Sequence, residues 1–97
     1  MHDKIINDIL DWIEDNLTKP ISTIDVIKKS GYSQRYFQDL FLHKTKSTIA
    51  KYILSRKLSM SAILLKLTRY SISEISNDYS FTSQQNFSRA FKRYFKV

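Results

Sequence analysis

Residues 80–97 read SFTSQQNFSRAFKRYFKV, and the spacing of the apolar side chains in this stretch decides the fold class. Phe87, Ala90, Phe91, Tyr94 and Phe95 recur at intervals of three and four, which predicts a helix starting near Ser83 with one buried face. The opposite face holds Gln84, Gln85, Ser88, Arg89, Lys92, Arg93 and Lys96. Amides and guanidinium groups make paired hydrogen bonds to base edges, and lysines act as point charges toward phosphates, so this face suits a DNA major groove. One helix of this kind is weak evidence, and its weight depends on a second copy.

The second copy lies upstream. Ser71 with Glu74 has the spacing of a capping box, and Ser22 with Asp25 repeats it 49 residues earlier, with Asp in place of the usual Glu or Gln. At the same offset Ile75 answers Val26 and Phe81 answers Tyr32. Thr82 is one extra residue, so beyond the turn the offset becomes 50: Ser83 answers Ser33, Phe87 answers Phe37 and Phe91 answers Phe41. A short helix to about Lys29, a turn at Ser30, Gly31 and Tyr32, and a new helix from Ser33 burying Phe37, Leu40 and Phe41 outline a helix-turn-helix. Gly31 is the turn residue free to take a positive φ. Caps, turn and aromatic pair recurring together point to two copies of one scaffold with different exposed faces.

The connecting stretch from Ser47 to about Thr68 has no breaker and predicts one long helix, apolar around much of its circumference. About 20 helical residues span roughly 30 Å, close to the roughly 34 Å between successive major-groove faces. Ahead of the first unit, Ile5, Ile6, Ile9, Leu10, Ile13 and Leu17 form an apolar stripe with Asp8, Asp11, Glu14 and Asp15 mostly off it, and Trp12 flanks the stripe as a packing residue. The expected architecture is therefore all-α: an N-terminal helix-turn-helix subdomain over 1–46, a linker helix over 47–68 and a C-terminal helix-turn-helix subdomain over 69–97.

Composition narrows the functional classes. The 97 residues include one glycine, one proline and no cysteine, which fits a nearly all-helical chain with short connections and excludes disulfides and thiolate metal sites. The histidines, His2 and His43, are far apart and form no metal cluster. No apolar run reaches the roughly 18 residues of a membrane span, and the N-terminus is not a secretory signal, so a soluble, cytoplasmic chain is expected. The net charge of +7 is uneven: residues 1–15 carry one lysine against five carboxylates, a net −4, and the remainder carries +11. Such a chain is drawn to a polyanion with its first helix turned away. An enzyme is not expected, because Glu74 is a cap, Asp39 and Asp78 lack a paired base, and there is no glycine-rich phosphate loop.

The stretches LDWIEDNL (10–17), SGYSQRYFQDLF (30–41), YILSRKL (52–58) and FTSQQNFSRAFKRYFKV (81–97) resemble the DNA-binding region of the AraC/XylS family of bacterial transcription activators, within it the short, stand-alone MarA/SoxS/Rob branch. The resemblance covers essentially the whole chain. It implies a monomer that sets both recognition helices in adjacent major grooves of double-stranded DNA and recruits RNA polymerase at stress or drug-resistance promoters. It also implies no cofactor, no small-molecule effector and regulation through abundance. Carried onto this chain, it makes Gln84, Gln85, Asn86 and Arg89 of the second reading helix, and Gln34, Arg35, Gln38 and Asp39 of the first, the base-contacting candidates. The backbone-contacting candidates are Ser33, Lys44, Lys46, Lys51, Arg56, Ser83, Ser88, Lys92, Arg93 and Lys96. Ser33 and Ser83 are most simply N-caps, and Arg56 has an alternative reading as a structural residue where the halves join.

The chain departs from the family's pattern at several places. An aromatic residue is usual at the place of Arg35 and an arginine at that of Asp39, so altered readout by the first helix is expected. Arg35 and Asp39, four apart, are spaced to pair with each other; Asp39 either accepts from a cytosine amino group or repels the DNA backbone. Lys46 and Ser80 stand where glycines are common, and a left-handed Ser80 would cost about 1 to 2 kcal/mol. The family continues past the position of Val97 with a closing helix, without which Phe95 and the second core are left incompletely covered. The competing reading of the same sequence is a helical protein-binding module or decoy derived from such an activator.

Overall fold

Serines at N-caps fix where four of the helices begin. The structure, a computed structural model, describes residues 2–97 apart from the side chain of His2, and among these residues it is all-α. The helices are α1 (His2–Asp15), α2 (Thr23–Ser30), α3 (Gln34–Thr45), α4 (Ile49–Leu67), α5 (Ile72–Asp78) and α6 (Gln84–Phe95). Both expected capping boxes form. At α2 the Ser22 N–H donates to Asp25 Oδ2 at 2.8 Å and the Asp25 N–H to Ser22 Oγ at 3.3 Å. At α5 the Ser71 N–H donates to Glu74 Oε2 at 3.4 Å and the Glu74 N–H to Ser71 Oγ at 3.0 Å. The Ser22 N–H, then its hydroxyl, then the charge of Lys28 hold the Asp25 carboxyl below its ordinary value of 3.8, against a small opposing effect of burial. The cap therefore contributes stability at neutral pH that is lost as pH falls through the folded-state pKa.

Left-handed residues close the helices. Gly31 takes φ 77° as expected, and Lys46, Ser80 and Lys96 take φ 62°, 61° and 56°. Lys46 keeps the closing bond of α3, its N–H donating to Leu42 O at 2.9 Å, but bears the steric cost of a Cβ in this region. Relief of about 1–2 kcal/mol of strain outweighs the roughly 0.4–1 kcal/mol that glycine adds to the entropy of the unfolded chain. Lys46→Gly is thus expected to raise the melting temperature by a few degrees, and a lowered melting temperature would contradict the assignment of strain.

The chain forms two compact units: the chain up to Leu17 with Ile21–Ile53, and Thr18–Pro20 with Leu54–Val97, so the division falls inside α4. The first unit is built on the α1 stripe. Ile6, Ile9, Ile13 and Leu17 are buried in the same core as Val26, Ile27, Phe37, Leu40, Phe41, Ile49 and Ile53. Trp12 is half-buried, as a flanking residue should be. Phe37 and Phe41 pack at a ring separation of 6.1 Å, and Tyr52 meets Phe41 edge-on at 5.6 Å.

The second unit has a smaller apolar interior of Leu58, Ile75, Tyr79 and Phe87. Phe81 meets Phe87 edge-on at 5.1 Å, and the Phe87, Phe91 and Phe95 rings continue along α6 at 5.6 and 4.6 Å. Phe95 remains 37% exposed and Tyr94 46% exposed, so the far end of this aromatic ladder faces solvent. The buried polar residues, Lys57, Ser61 and Ser76, all lie in this unit. Ser61 and Ser76 return their hydroxyls to the carbonyls of Lys57 and Ser73 at 2.7 and 2.9 Å. The Lys57 ammonium donates to Tyr79 O at 3.0 Å and Lys19 O at 3.2 Å.

Burial pushes Lys57 below its ordinary value of 10.5. The folded state therefore holds this proton less tightly than the unfolded chain, and its cost to stability is relieved as pH rises through the folded-state value toward 10.5. Denaturant unfolding should show the stability of the native chain gaining on that of Lys57→Met between pH 7 and pH 10. A constant gap would contradict a desolvated ammonium.

Candidate nucleic-acid interface

α6 is amphipathic because its aromatic residues fall on one side, and the side opposite Phe87 carries the residues suited to bases. The Ser83 hydroxyl accepts from the Asn86 N–H at 3.0 Å and starts the helix. From there Gln84, Gln85, Ser88, Arg89 and Lys92 line one open depression. Gln84, Gln85, Arg89 and Lys92 are exposed and Ser88 is half-buried. Their i, i+1, i+4, i+5 and i+8 spacing puts amides, a hydroxyl and two cations on two and a half turns of a single face. Arg93 and Lys96 are exposed beyond it. Lys96, a backbone-contacting candidate, is also the left-handed C-cap, its N–H donating to Lys92 O. Asn86 is exposed, but its amide nitrogen donates to Thr82 Oγ1, the extra residue of the second turn.

α3 presents the same geometry with different chemistry. Ser33 Oγ accepts from the Tyr36 N–H at 3.3 Å, and Gln34, Arg35, Gln38 and Asp39 are exposed at the i, i+1, i+4 and i+5 places that Gln84, Gln85, Ser88 and Arg89 hold in α6. Asp39 therefore stands where α6 has Arg89, and Leu42, 48% exposed, stands where it has Lys92. The face of α3 is nearly neutral, whereas that of α6 is cationic. The expected pairing of Arg35 with Asp39 does not form, whereas Lys4 pairs with Asp8 at 3.2 Å and Lys44 with Asp3 at 2.9 Å. Exposed pairs gain little Coulomb energy against the entropy of holding two long side chains, so the separation costs almost nothing.

The other basic candidates fall in different settings. Lys44 is held by Asp3 of α1, so this lysine neutralises a carboxylate of its own chain. Lys46 and Lys51 are exposed, and Arg56 is half-buried within α4. Sequence reading named Tyr32 only as a turn residue matched by Phe81 and did not name Tyr36; their rings pack at 5.2 Å beside the start of α3 and remain 36% and 43% exposed. Their signal was an aromatic on either side of the Ser33 cap. No group of three potential metal ligands occurs among the described residues, and no described helix is long and apolar enough to cross a membrane.

Comparison with known proteins fits this geometry. Residues 26–97 match the model of a helix-turn-helix domain family. The chain is 47% identical over 96 residues to the transposon Tn10 TetD protein of Escherichia coli, covering 99% of this chain and 70% of that protein. It is 42% identical over 94 residues to the regulatory protein SoxS of Escherichia coli K12, covering 97% of this chain and 88% of SoxS. Among solved structures, a transcriptional regulator of the AraC-type DNA-binding-domain class from Chromobacterium violaceum superposes with a TM-score of 0.89 at 27% identity, over 98% of this chain and 85% of that one.

Proposed function

Because the chain belongs to the AraC-type family of helix-turn-helix DNA-binding transcription regulators, we propose that it is a sequence-specific activator that reads two adjacent major-groove segments of duplex DNA and recruits RNA polymerase there. A regulator of this family does no chemistry on its ligand, so function reduces to which side chains meet bases and which meet phosphates. The observation that carries the reading is the single polar face of α6, with Gln84, Gln85, Ser88, Arg89 and Lys92 together on it. Arg89 has the fork geometry for guanine O6 and N7, and Gln84 and Gln85 have the amides for adenine N6 and N7. Asn86 reads beside them with its carbonyl oxygen. Ser83, Ser88, Lys92, Arg93 and Lys96 meet the flanking phosphates. In α3, Gln34, Arg35, Gln38 and Asp39 face the other segment, with Ser33, Lys46 and Lys51 toward its backbone. Lys44, paired with Asp3, and Arg56, half-buried in α4, stand apart from these phosphate contacts. One chain carries both reading helices, so it acts as a monomer, in the compartment that holds DNA and RNA polymerase.

Binding to labelled duplexes across a salt series tests this. Affinity should fall with log salt at a slope of about −5 to −9, as release of counterions from 6 to 10 phosphates requires. A site-containing duplex should be preferred over a scrambled one by at least about a thousandfold. Equal affinity for both duplexes would overturn sequence-specific reading.

The Asp39 position makes a separate prediction. Asp39→Arg replaces a negative charge on the α3 face by the cation that α6 has at its equivalent place. It should tighten DNA binding and steepen the salt slope by about 1. Weaker binding to the selected site would show that Asp39 makes a contact of its own, such as acceptance from a cytosine amino group.

A further inference from the structure

Lys57 is the charged side chain in the buried interior of the described residues, 7% exposed, and no ion pair among the described residues includes it. It lies on the core side of α4, four residues from Ile53 and four from Ser61, both buried. A methionine or leucine would fill such a place without the cost of desolvating an ammonium. What the lysine gains is two carbonyls far apart in sequence: Lys19 O at 3.2 Å and Tyr79 O at 3.0 Å. The next residue, Ser80, holds the left-handed conformation with φ 61° and donates its hydroxyl to Thr18 O at 2.7 Å. Glycine would take that conformation at lower steric cost, and the hydroxyl bond is what a serine adds. Pro20 restrains the acceptor segment, fixing its own φ and disfavouring helix at Lys19.

These bonds converge on one turn. Tyr79 is the C-cap of α5 and Ser83 the N-cap of α6. The turn that launches α6 is thus tied at Tyr79 through Lys57 and at Ser80 through its own hydroxyl, both within the second unit. We propose that Lys57 and Ser80 are positioning residues for base readout by α6: by fixing the turn from Tyr79 to Ser83 they set the direction in which the helix leaves it, and so which bases Gln84, Gln85 and Arg89 reach. The inference rests on the DNA-reading role of α6 given above. Lys57 itself is too buried to meet a phosphate, so its effect on DNA passes through the turn.

Selection of bound sequences from a random duplex pool with the full chain tests this. The native chain, Lys57→Met, Lys57→Arg and Ser80→Ala are compared, with Arg89→Ala marking the bases read by α6. Thermal melts and circular dichroism establish that each variant is folded at the selection temperature. Lys57→Met and Ser80→Ala should lose preference by about five- to a hundredfold at the positions that Arg89→Ala blurs, the size of a disturbed bidentate base contact. Preference elsewhere in the site and the salt slope should be kept. Lys57→Arg, which retains donors for both carbonyls, should restore the native profile. An unchanged profile in folded Lys57→Met and Ser80→Ala, or a loss spread evenly over the whole site, would overturn the proposal. If the native chain enriches no sequence at all, the DNA-reading role fails and the inference falls with it, an outcome separate from a native motif that the variants leave intact.

Discussion

Phe87→Ala is expected to unfold the second unit at temperatures where the first remains folded. Phe87 is 1% exposed and is the centre of the aromatic ladder, with Phe81 on one side and Phe91 on the other. Truncating a buried phenylalanine costs about 3–5 kcal/mol through lost transfer energy and the cavity left behind. The second unit has few other buried apolar residues, Leu58, Ile75 and Tyr79, with which to absorb that loss. The first has its own core around Phe37 and Phe41. Hydrogen exchange should therefore show the amides of α5 and α6 losing protection while those of α1 to α3 keep most of theirs. Retained protection in α6, or a single loss shared by all helices, would contradict the separate cores.

Arg89→Ala is expected to cost about 1–3 kcal/mol of affinity for the selected site and to relax base preference at one position. Arg89 is exposed on the same face as Gln84, Gln85, Ser88 and Lys92, and none of the described residues engages it in an ion pair. A phosphate contact would produce a different result: a loss nearly uniform across sequences with a shallower salt slope. Competition binding against single-base variants of the site separates the two. An unchanged preference at every position would remove Arg89 from the reading residues.

The helices α3 and α6 were legible in the sequence because three independent signals agreed at each. The serine caps follow from capping chemistry, and the aromatic pair Phe37–Phe41 or Phe87–Phe91 and the polar residues between them from helical period. The sequence raised a left-handed Ser80 only as a condition with a cost, and it marked Lys46 only as standing where glycine is common; both residues are left-handed in the structure. What escaped the sequence were bonds between residues far apart along the chain. Nothing in the pattern of α4 announces that Lys57 reaches Lys19 O and Tyr79 O, although a lysine at core spacing between Ile53 and Ser61 was a visible anomaly. Likewise Lys44 reads as a free cation until α1 brings Asp3 to 2.9 Å from it. Arg35 and Asp39 show the opposite error: their spacing permits a pair, but solvent competes for both charges and the pair does not form.

These cases share a physical cause. Period and capping are properties of a few consecutive residues, so they survive in the sequence. The partner of a long polar side chain is set by the tertiary fold. Base readout belongs to a third level, because it depends on which exposed groups meet the partner; under the proposed function, the charge reversal between Asp39 and Arg89 is expected to give the two helices different preferences on the same scaffold.

The most direct test of the central claim is selection by the native chain from a pool of random duplexes, followed by sequencing of what is retained. Sequence-specific reading by two helices predicts one enriched motif made of two half-sites, with the stronger preference in the half that Arg89→Ala blurs. Retention of the pool without enrichment of any motif would contradict it.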